Sequence, residues 1–258
     1  MKLNKDNYFS READKEYMSV SQFKNFEECP AMAMAIINGE FEKEKTVSLL
    51  VGSYVDAYFG GELEKFKSEN SEIFNSRTGE LKSEYKQAEK IIERVKKDKL
   101  WMEFATGGQE QVIMTGEIAG VPIKIMIDNL HTNKIVDRKV VKDFQPMYKE
   151  GQGRLSWFEY WRYDLQGAVY REIVRQNTNK TLSFYLATAT KEKVTDYDLL
   201  HISDTALDFE LEEFTKKAPL YDAIKKGIIH PERCGKCDYC KMTKILTIPT
   251  ESEDCEDE

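Results

Sequence analysis

The sequence predicts an α/β fold in which helices flank one central mixed β-sheet. Three observations predict it. Helical spacing dominates residues 1–105, and alternating apolar runs follow between residues 110 and 141. A further helix, two more strand-like runs and a last helix then lead to a cysteine-rich end. Helices first, then a meander, then helix and strands together suit a sheet packed between helical layers. With no internal repeat and no low-complexity linker, residues 1–250 read as a single domain: a helical part at 1–105, a sheet-bearing part, and a cysteine cluster at 234–240. Residues 251–258 read as an acidic disordered tail.

Each element has its own signal. "MSVSQFKNFEECPAMAMAIING" is a Ser-capped helix, begun by Ser19 or Ser21, carrying Phe23 and Phe26 and broken at Cys29-Pro30. "TVSLLVGSYVDAYFGGELEKF" has the length and apolar density of a buried helix. Residues 81–100 form a charged amphipathic helix with Tyr85, Ala88, Ile92 and Val95 on one stripe. "EQVIMTGEIAGVPIKIMID" supplies two β-runs about Ala119-Gly120, and "KIVDRKVV" a third. Residues 157–175 return to helical spacing. "TLSFYLATATK" and "DLLHIS" are further strands, and "TALDFELEEFTKK" is a helix.

Composition narrows the function. An apolar fraction of 41% and a charged fraction of 33% suit a globular protein with a core. No apolar run approaches the ~20 residues that cross a bilayer, and the charged N-terminus lacks the apolar stretch of a signal peptide, so a cytoplasmic location without membrane partners is expected. Of the net charge of −8, the last eight residues carry −6, leaving the body at −2 and able to present a basic groove to nucleic acid. Five cysteines in a reducing compartment point to metal binding where they cluster. Cys255, in the acidic tail, reads as a free thiol.

The chemistry concentrates in the third β-run. Side chains alternate along a strand, so Asp137 and Lys139 share one face while Val136, Arg138 and Val140 share the other. A hairpin brings Asp128 beside Asp137. Two such carboxylates repel unless neutralised, which a hard divalent cation does well. Lys139 would stand at the edge of that site as a fixed positive charge. A solvated D-x-K triplet at strand ends would give the same letters. Gln166 and Tyr170, at i and i+4, share a helical face that reads either as the ordinary rim of a half-buried helix or as a pair aimed at the same site. Asp56, a carboxylate in an apolar helix, is costly to bury unpaired; a solvated rim position would explain it, but a third metal ligand accounts for it better. "PERCGKCDYCKMTK" spaces Cys234, Cys237 and Cys240 as C-x2-C-x2-C, one thiolate short of a tetrahedral set that Cys29 could complete. Cys₄ ligation suits zinc or an iron–sulfur cluster.

Together these residues resemble the PD-(D/E)xK nucleases, whose core is restriction-endonuclease-like. "IMID" with "IVDRK" resembles the metal-binding core, and "LQGAVY" resembles the Q-x-x-x-Y motif of the RecB-type branch. "GSYVDAYF" occupies the place of that branch's G-x-x-x-H helix, with Asp56 where His is usual. Arg138 stands where an apolar residue is usual, which suggests an outer strand face that is solvated or touches DNA. The order of motifs over residues 19–246 is similar to phage exonucleases of the RecE (exonuclease VIII-like) type. The resemblance implies that Asp56, Asp128 and Asp137 bind Mg²⁺ or Mn²⁺, that Lys139 assists the nucleophilic water, and that Gln166 and Tyr170 orient the DNA. Glu110 is a further acidic candidate. It also implies a [4Fe–4S] cluster on Cys29, Cys234, Cys237 and Cys240, ahead of zinc. The implied activity is 5′ to 3′ resection of double-stranded DNA ends for phage recombination. A RecT-like single-strand annealing protein would be the partner, and a homo-oligomeric ring the assembly. A CRISPR-associated end-trimming nuclease and a catalytically silent DNA-binding scaffold are the alternatives.

Overall fold

A computed structural model of the chain describes residues 1–246; the expected acidic tail and Cys255 lie outside them. Five strands form one mixed sheet in the order β1 (Gln109–Ile118), β2 (Val121–Leu130), β3 (Lys134–Val141), β6 (Ser183–Thr190) and β7 (Tyr197–Ile202). The β3–β6 pair is parallel and the others are antiparallel. Ala119 and Gly120 both adopt positive φ (52° and 76°) between β1 and β2, as a tight two-residue hairpin turn requires.

The helices begin at side-chain caps. The Ser19 hydroxyl accepts from the Gln22 amide and starts α2 (Val20–Glu28), following the short α1 (Arg11–Glu16). The expected break at Cys29-Pro30 is a true boundary, since Pro30 opens α3 (Pro30–Asn38), which ends on left-handed Gly39. Thr46 caps α4 (Val47–Phe59). That buried helix is shorter than its apolar density suggested, because the chain turns at Gly60-Gly61 and restarts as α5 (Leu63–Glu69). The helix expected over 81–100 also contracts, to α6 (Gln87–Val95). Leu81 is held in a bridge with Phe74, and Asp98 caps a new helix, α7 (Lys99–Thr106). A small hairpin, β4 (Met147–Lys149) and β5 (Gly153–Leu155), had no sequence signal. The helix expected over 157–175 splits at Arg162 (φ 55°) into α8 (Trp157–Tyr160) and α9 (Tyr163–Thr178). The last long helix, α10 (Asp204–Lys225), runs through Pro219, and α11 (Asp238–Met242) closes the described chain.

Apolar side chains cover both sheet faces. Ile123, Ile125, Ile127, Ile135, Phe184 and Leu186 pack beneath α2, α9 and α10 through Phe23, Leu165, Val169, Ile173 and Phe214. Val136, Ala187 and Ala189 pack on the other face against α4, α6 and α7 through Val51, Val55, Ile91 and Trp101. Alternation along β3 then dictates the rest. Asp137 follows Ile135 toward α9, and Arg138 follows Val136 toward α4.

The β2–β3 ladder is brief. Only Asn129↔Val136 and Leu130↔Ile135 pair, and the strands part at Asp128 and Asp137. Near its start, β2 is bonded from outside: the Met18 amide donates to the Pro122 carbonyl, and the Lys124 amide to the Met18 carbonyl. Buried Lys124 fastens this N-terminal strap through its ammonium, 2.6 Å from the Tyr8 carbonyl and 2.7 Å from Asp14.

Candidate active site

The fork between β2 and β3 brings two of the predicted acidic residues, Asp128 and Asp137, side by side. Where the ladder stops, the Arg138 amide donates to Asp128 Oδ2 at 2.9 Å, so a carboxylate stands in for the missing backbone acceptor. Asp128 Oδ1 keeps only a long contact, 3.5 Å, from Gln111 Nε2. Asp137 is buried, with Lys139 Nζ 2.6 Å from Oδ2 and Gln166 Nε2 donating to Oδ1 at 2.7 Å. Apart from this ion pair with Lys139, the buried Oδ2 has no hydrogen-bond donor among the described residues.

The Q-x-x-x-Y pair divides between the two strands. Gln166 reaches Asp137 on β3, while the buried Tyr170 hydroxyl donates to the Met126 carbonyl of β2 at 3.0 Å. One face of α9 thus grips both carboxylate-bearing strands. The Gln166 Nε2 and the Tyr170 hydroxyl are bonded within the fork, Tyr170 with little access to solvent, while Gln166 stays half-buried.

On the opposite face, the two departures from the family pattern meet. Arg138 is buried, not solvated or facing DNA as its outward position suggested. Its Nε lies 3.3 Å from Asp56 Oδ1, and its Nη1 donates to Glu110 Oε2 and the Ala105 carbonyl, each at 2.8 Å. Asp substitutes for His at 56 and Arg for an apolar residue at 138, and the two form an ion pair. Glu110 is therefore occupied, by Arg138 and by Asn129 Nδ2 at 2.5 Å. Asp56 is partly so, with 46% of its side chain exposed.

The electrostatics suit a cation. Burial, then the Asp128 charge, pushes Asp56 up to about 6 despite Arg138. Burial likewise pushes Asp137 up to about 7, against the pull of Lys139. Asp56 and Asp137, both pushed up by burial beside the charge of Asp128, are suited to a hard divalent ion, and Asp137 Oδ2 has no hydrogen-bond donor besides its Lys139 ion pair. The carboxylates are not drawn to ligand spacing in the protein alone. Among the described residues, the one group of at least three potential ligand atoms lying within 4.8 Å of one another is the four cysteines.

That set assembles as the spacing suggested. Cys29, at the α2–α3 junction, lies with its Sγ 3.6 Å from that of Cys240, and Cys234 Sγ is 3.9 Å from Cys240 Sγ. The Cys237 and Cys240 amides donate to Cys234 and Cys237 sulfur at 3.3 and 3.5 Å. The implied [4Fe–4S] cluster does not fit this spacing. Its four thiolates bind four different irons, which would hold the sulfurs roughly 6 Å apart.

Lys24 went unnoticed in the sequence. Its Nζ donates to the Trp161 carbonyl at 2.8 Å and stands 5.4 Å from the centre of the Tyr163 ring. Lys139 Nζ lies 5.5 Å from the same ring. Nothing local marks position 24, because the neighbour that matters is over a hundred residues away.

Against this geometry, a family model described as a PDDEXK-like domain of unknown function matches residues 19–243. The chain belongs to this PDDEXK-like family. A solved structure from Eubacterium rectale, described as a "Putative exonuclease", is 43% identical with a TM-score of 0.95, over 100% of this chain and 99% of that one. A second solved structure, SSO0001, is 14% identical over 88% of this chain and 94% of that one. Its TM-score of 0.29 is too low to carry an argument. No curated protein matches. The fold is accordingly the expected one, a five-stranded mixed sheet with PDDEXK-like architecture, and nuclease chemistry is in keeping with it.

Proposed function

We propose that this PDDEXK-like chain is a Mg²⁺- or Mn²⁺-dependent exodeoxyribonuclease that resects linear double-stranded DNA ends from 5′ to 3′. The observation that carries the reading is the buried Asp137, held between Lys139 and Gln166 beside Asp128 at the mouth of a forked sheet. A structural ion pair alone would not need a second carboxylate opposite it, nor a helix spent on aiming both strands.

On this reading Asp128 and Asp137, with the free oxygen of Asp56, hold the metal. When bound, the ion would polarise a phosphate oxygen and acidify a water. Lys139 keeps a positive charge beside Asp137, placed to steady a water or the charge developing on phosphorus. Gln166 fixes the rotamer of Asp137, and Tyr170 fixes the strand carrying Asp128. Arg138 offsets part of the acidic charge from behind. The 3′ overhang produced would serve a RecT-like single-strand annealing protein in phage recombination. Assembly as a ring around the duplex would favour processive digestion.

The test is digestion of linear duplex labelled at either end, with and without Mg²⁺. Expected is metal-dependent shortening of the 5′-ended strand. Asp137→Ala and Lys139→Ala should each lower the rate by about 100-fold or more while DNA ends still bind. A wild-type protein that binds DNA but never cleaves it, with or without metal, would leave the scaffold reading in its place.

A further inference from the structure

We propose that Cys29, Cys234, Cys237 and Cys240 bind a single tetrahedral zinc ion, in place of the iron–sulfur cluster that the family resemblance implies. The sulfur spacing carries the argument. A regular tetrahedron with Zn–S bonds of about 2.3 Å has S···S edges of about 3.8 Å. The observed separations are 3.6 and 3.9 Å, and all four sulfurs lie within 4.8 Å of one another. Room for one ion exists between them, and room for a cubane does not.

Backbone donors and a nearby cation surround the sulfurs. Each C-x2-C step returns a backbone amide to the preceding sulfur, at 3.3 Å and 3.5 Å. Arg233 adds positive charge alongside, its guanidinium donating to the Cys240 carbonyl at 3.0 Å. On binding, the thiols lose their protons to solvent, and the Zn²⁺ charge offsets part of the negative charge that results. Zinc is redox-silent, so the role is structural: the ion joins the α2–α3 junction to the segment around α11, which otherwise packs there through a small apolar cluster with Ala31, Met32 and Tyr239. Apart from the sulfurs, the Ala31 amide bonded to the Glu232 carbonyl and the Phe41–Tyr239 ring contact hold that segment.

The test is metal analysis of the full chain purified anaerobically. Expected are one zinc per chain, no acid-labile sulfide and a colourless solution. Co²⁺ exchanged into the site should show the strong visible bands of a tetrahedral thiolate. Cys237→Ser should lose stoichiometric zinc. Should that variant not fold, Cys234→His keeps the test alive, since Cys₃His is an ordinary zinc set, and it should retain one zinc. Four irons with sulfide, a brown colour, or a folded wild type holding no metal would each overturn the proposal.

Lys24 carries a second inference, on separate ground, and it rests on the nuclease reading. Among the described residues its ammonium has no carboxylate partner, only the Trp161 carbonyl, yet it shares the Tyr163 ring with Lys139. Burial, and then repulsion from Lys139, pushes Lys24 down to about 7. Lys139 is paired with Asp137, but the Lys24 ammonium beside the same ring has no anion of its own among the described residues. We infer that Lys24 and Lys139 form a clamp, across the Tyr163 ring, for the non-bridging oxygens of a DNA phosphate. That phosphate is either a terminal monoester or an internal diester.

The experiment titrates fluorescent duplex ends, 5′-phosphorylated or 5′-hydroxyl, against NaCl with Ca²⁺ in place of Mg²⁺. A lost phosphate contact lowers the slope of log K against log salt by about 0.7–0.9. Lys24→Met should show that fall together with weaker binding, and Lys24→Arg should restore both. A change confined to phosphorylated ends identifies the terminal monoester, and an equal change on both identifies the diester. An unchanged slope in Lys24→Met overturns the clamp. Wild type that binds DNA without cleaving it overturns the nuclease reading alone, and wild type that binds none overturns both.

Discussion

Arg138 makes the sharpest prediction about how this site is built. Its side chain is 4% exposed and serves Asp56, Glu110 and the Ala105 carbonyl. Removing one member of a buried ion pair costs about 3–5 kcal/mol. Here the abandoned partners can recover water, since Glu110 is 29% and Asp56 46% exposed, so Arg138→Leu should fall at the low end, about 3 kcal/mol. For a chain of this size that lowers Tm by roughly 6–12 °C. Asp56→His alone leaves Arg138 its other two partners and should cost about 1 kcal/mol, as for a half-exposed pair. The double variant restores the usual pairing of histidine with an apolar strand residue. It should be less destabilised than the sum of the singles, by about 1 kcal/mol. Urea denaturation of all four proteins gives the cycle. A neutral Arg138→Leu, or strict additivity, would refute the claim that the two departures are one interaction.

Other expectations follow from the same geometry. The value of Asp137 in the folded protein, about 7, lies above its ordinary 3.8, so the fold favours the protonated form. Without added divalent metal, stability should therefore fall as pH rises from about 4 to about 7. Thermal melts at pH 8 should show Asp137→Asn above the wild type, with added Mg²⁺ raising the wild type alone; a wild type that gains stability over that range would contradict this. Tyr170→Phe leaves the Met126 carbonyl without its buried donor and should cost about 1–3 kcal/mol by urea melt. Its cleavage rate should drop while DNA affinity holds, whereas a loss of affinity alone would return Tyr170 to a DNA-contacting role. Lys124→Met removes the ammonium that fastens the N-terminal strap, so limited proteolysis should cut within residues 1–17 well before the wild type. Equal protection in the two proteins would mean the strap is held by other contacts.

What could be read in the sequence followed periodicity. "KIVDRKVV" put Asp137 and Lys139 on one face because a strand has no alternative, and Gln166 and Tyr170 shared a face because a helix has none. Where those side chains end was not readable. Tyr170 takes a backbone carbonyl 44 positions away, and Arg138 takes Asp56, 82 positions away. Helix boundaries failed where tertiary contacts set them. Arg162 sits at a left-handed φ while its guanidinium binds Glu27 and Glu210, neither of which local spacing reveals. The cysteine spacing pointed to a metal-binding set, but the sulfur distances on which the zinc proposal rests are carried by no spacing of letters.

The fork that exposes the two carboxylates also leaves bare strand edge, and Met18 covers it on β2 by exchanging backbone bonds with Pro122 and Lys124. The leading segment is thus a finishing piece of the sheet. A chain trimmed to begin at Val20 would present naked amides and carbonyls beside its cleft, inviting another molecule to zip on. Such a truncation would self-associate even with every side chain of the fork intact.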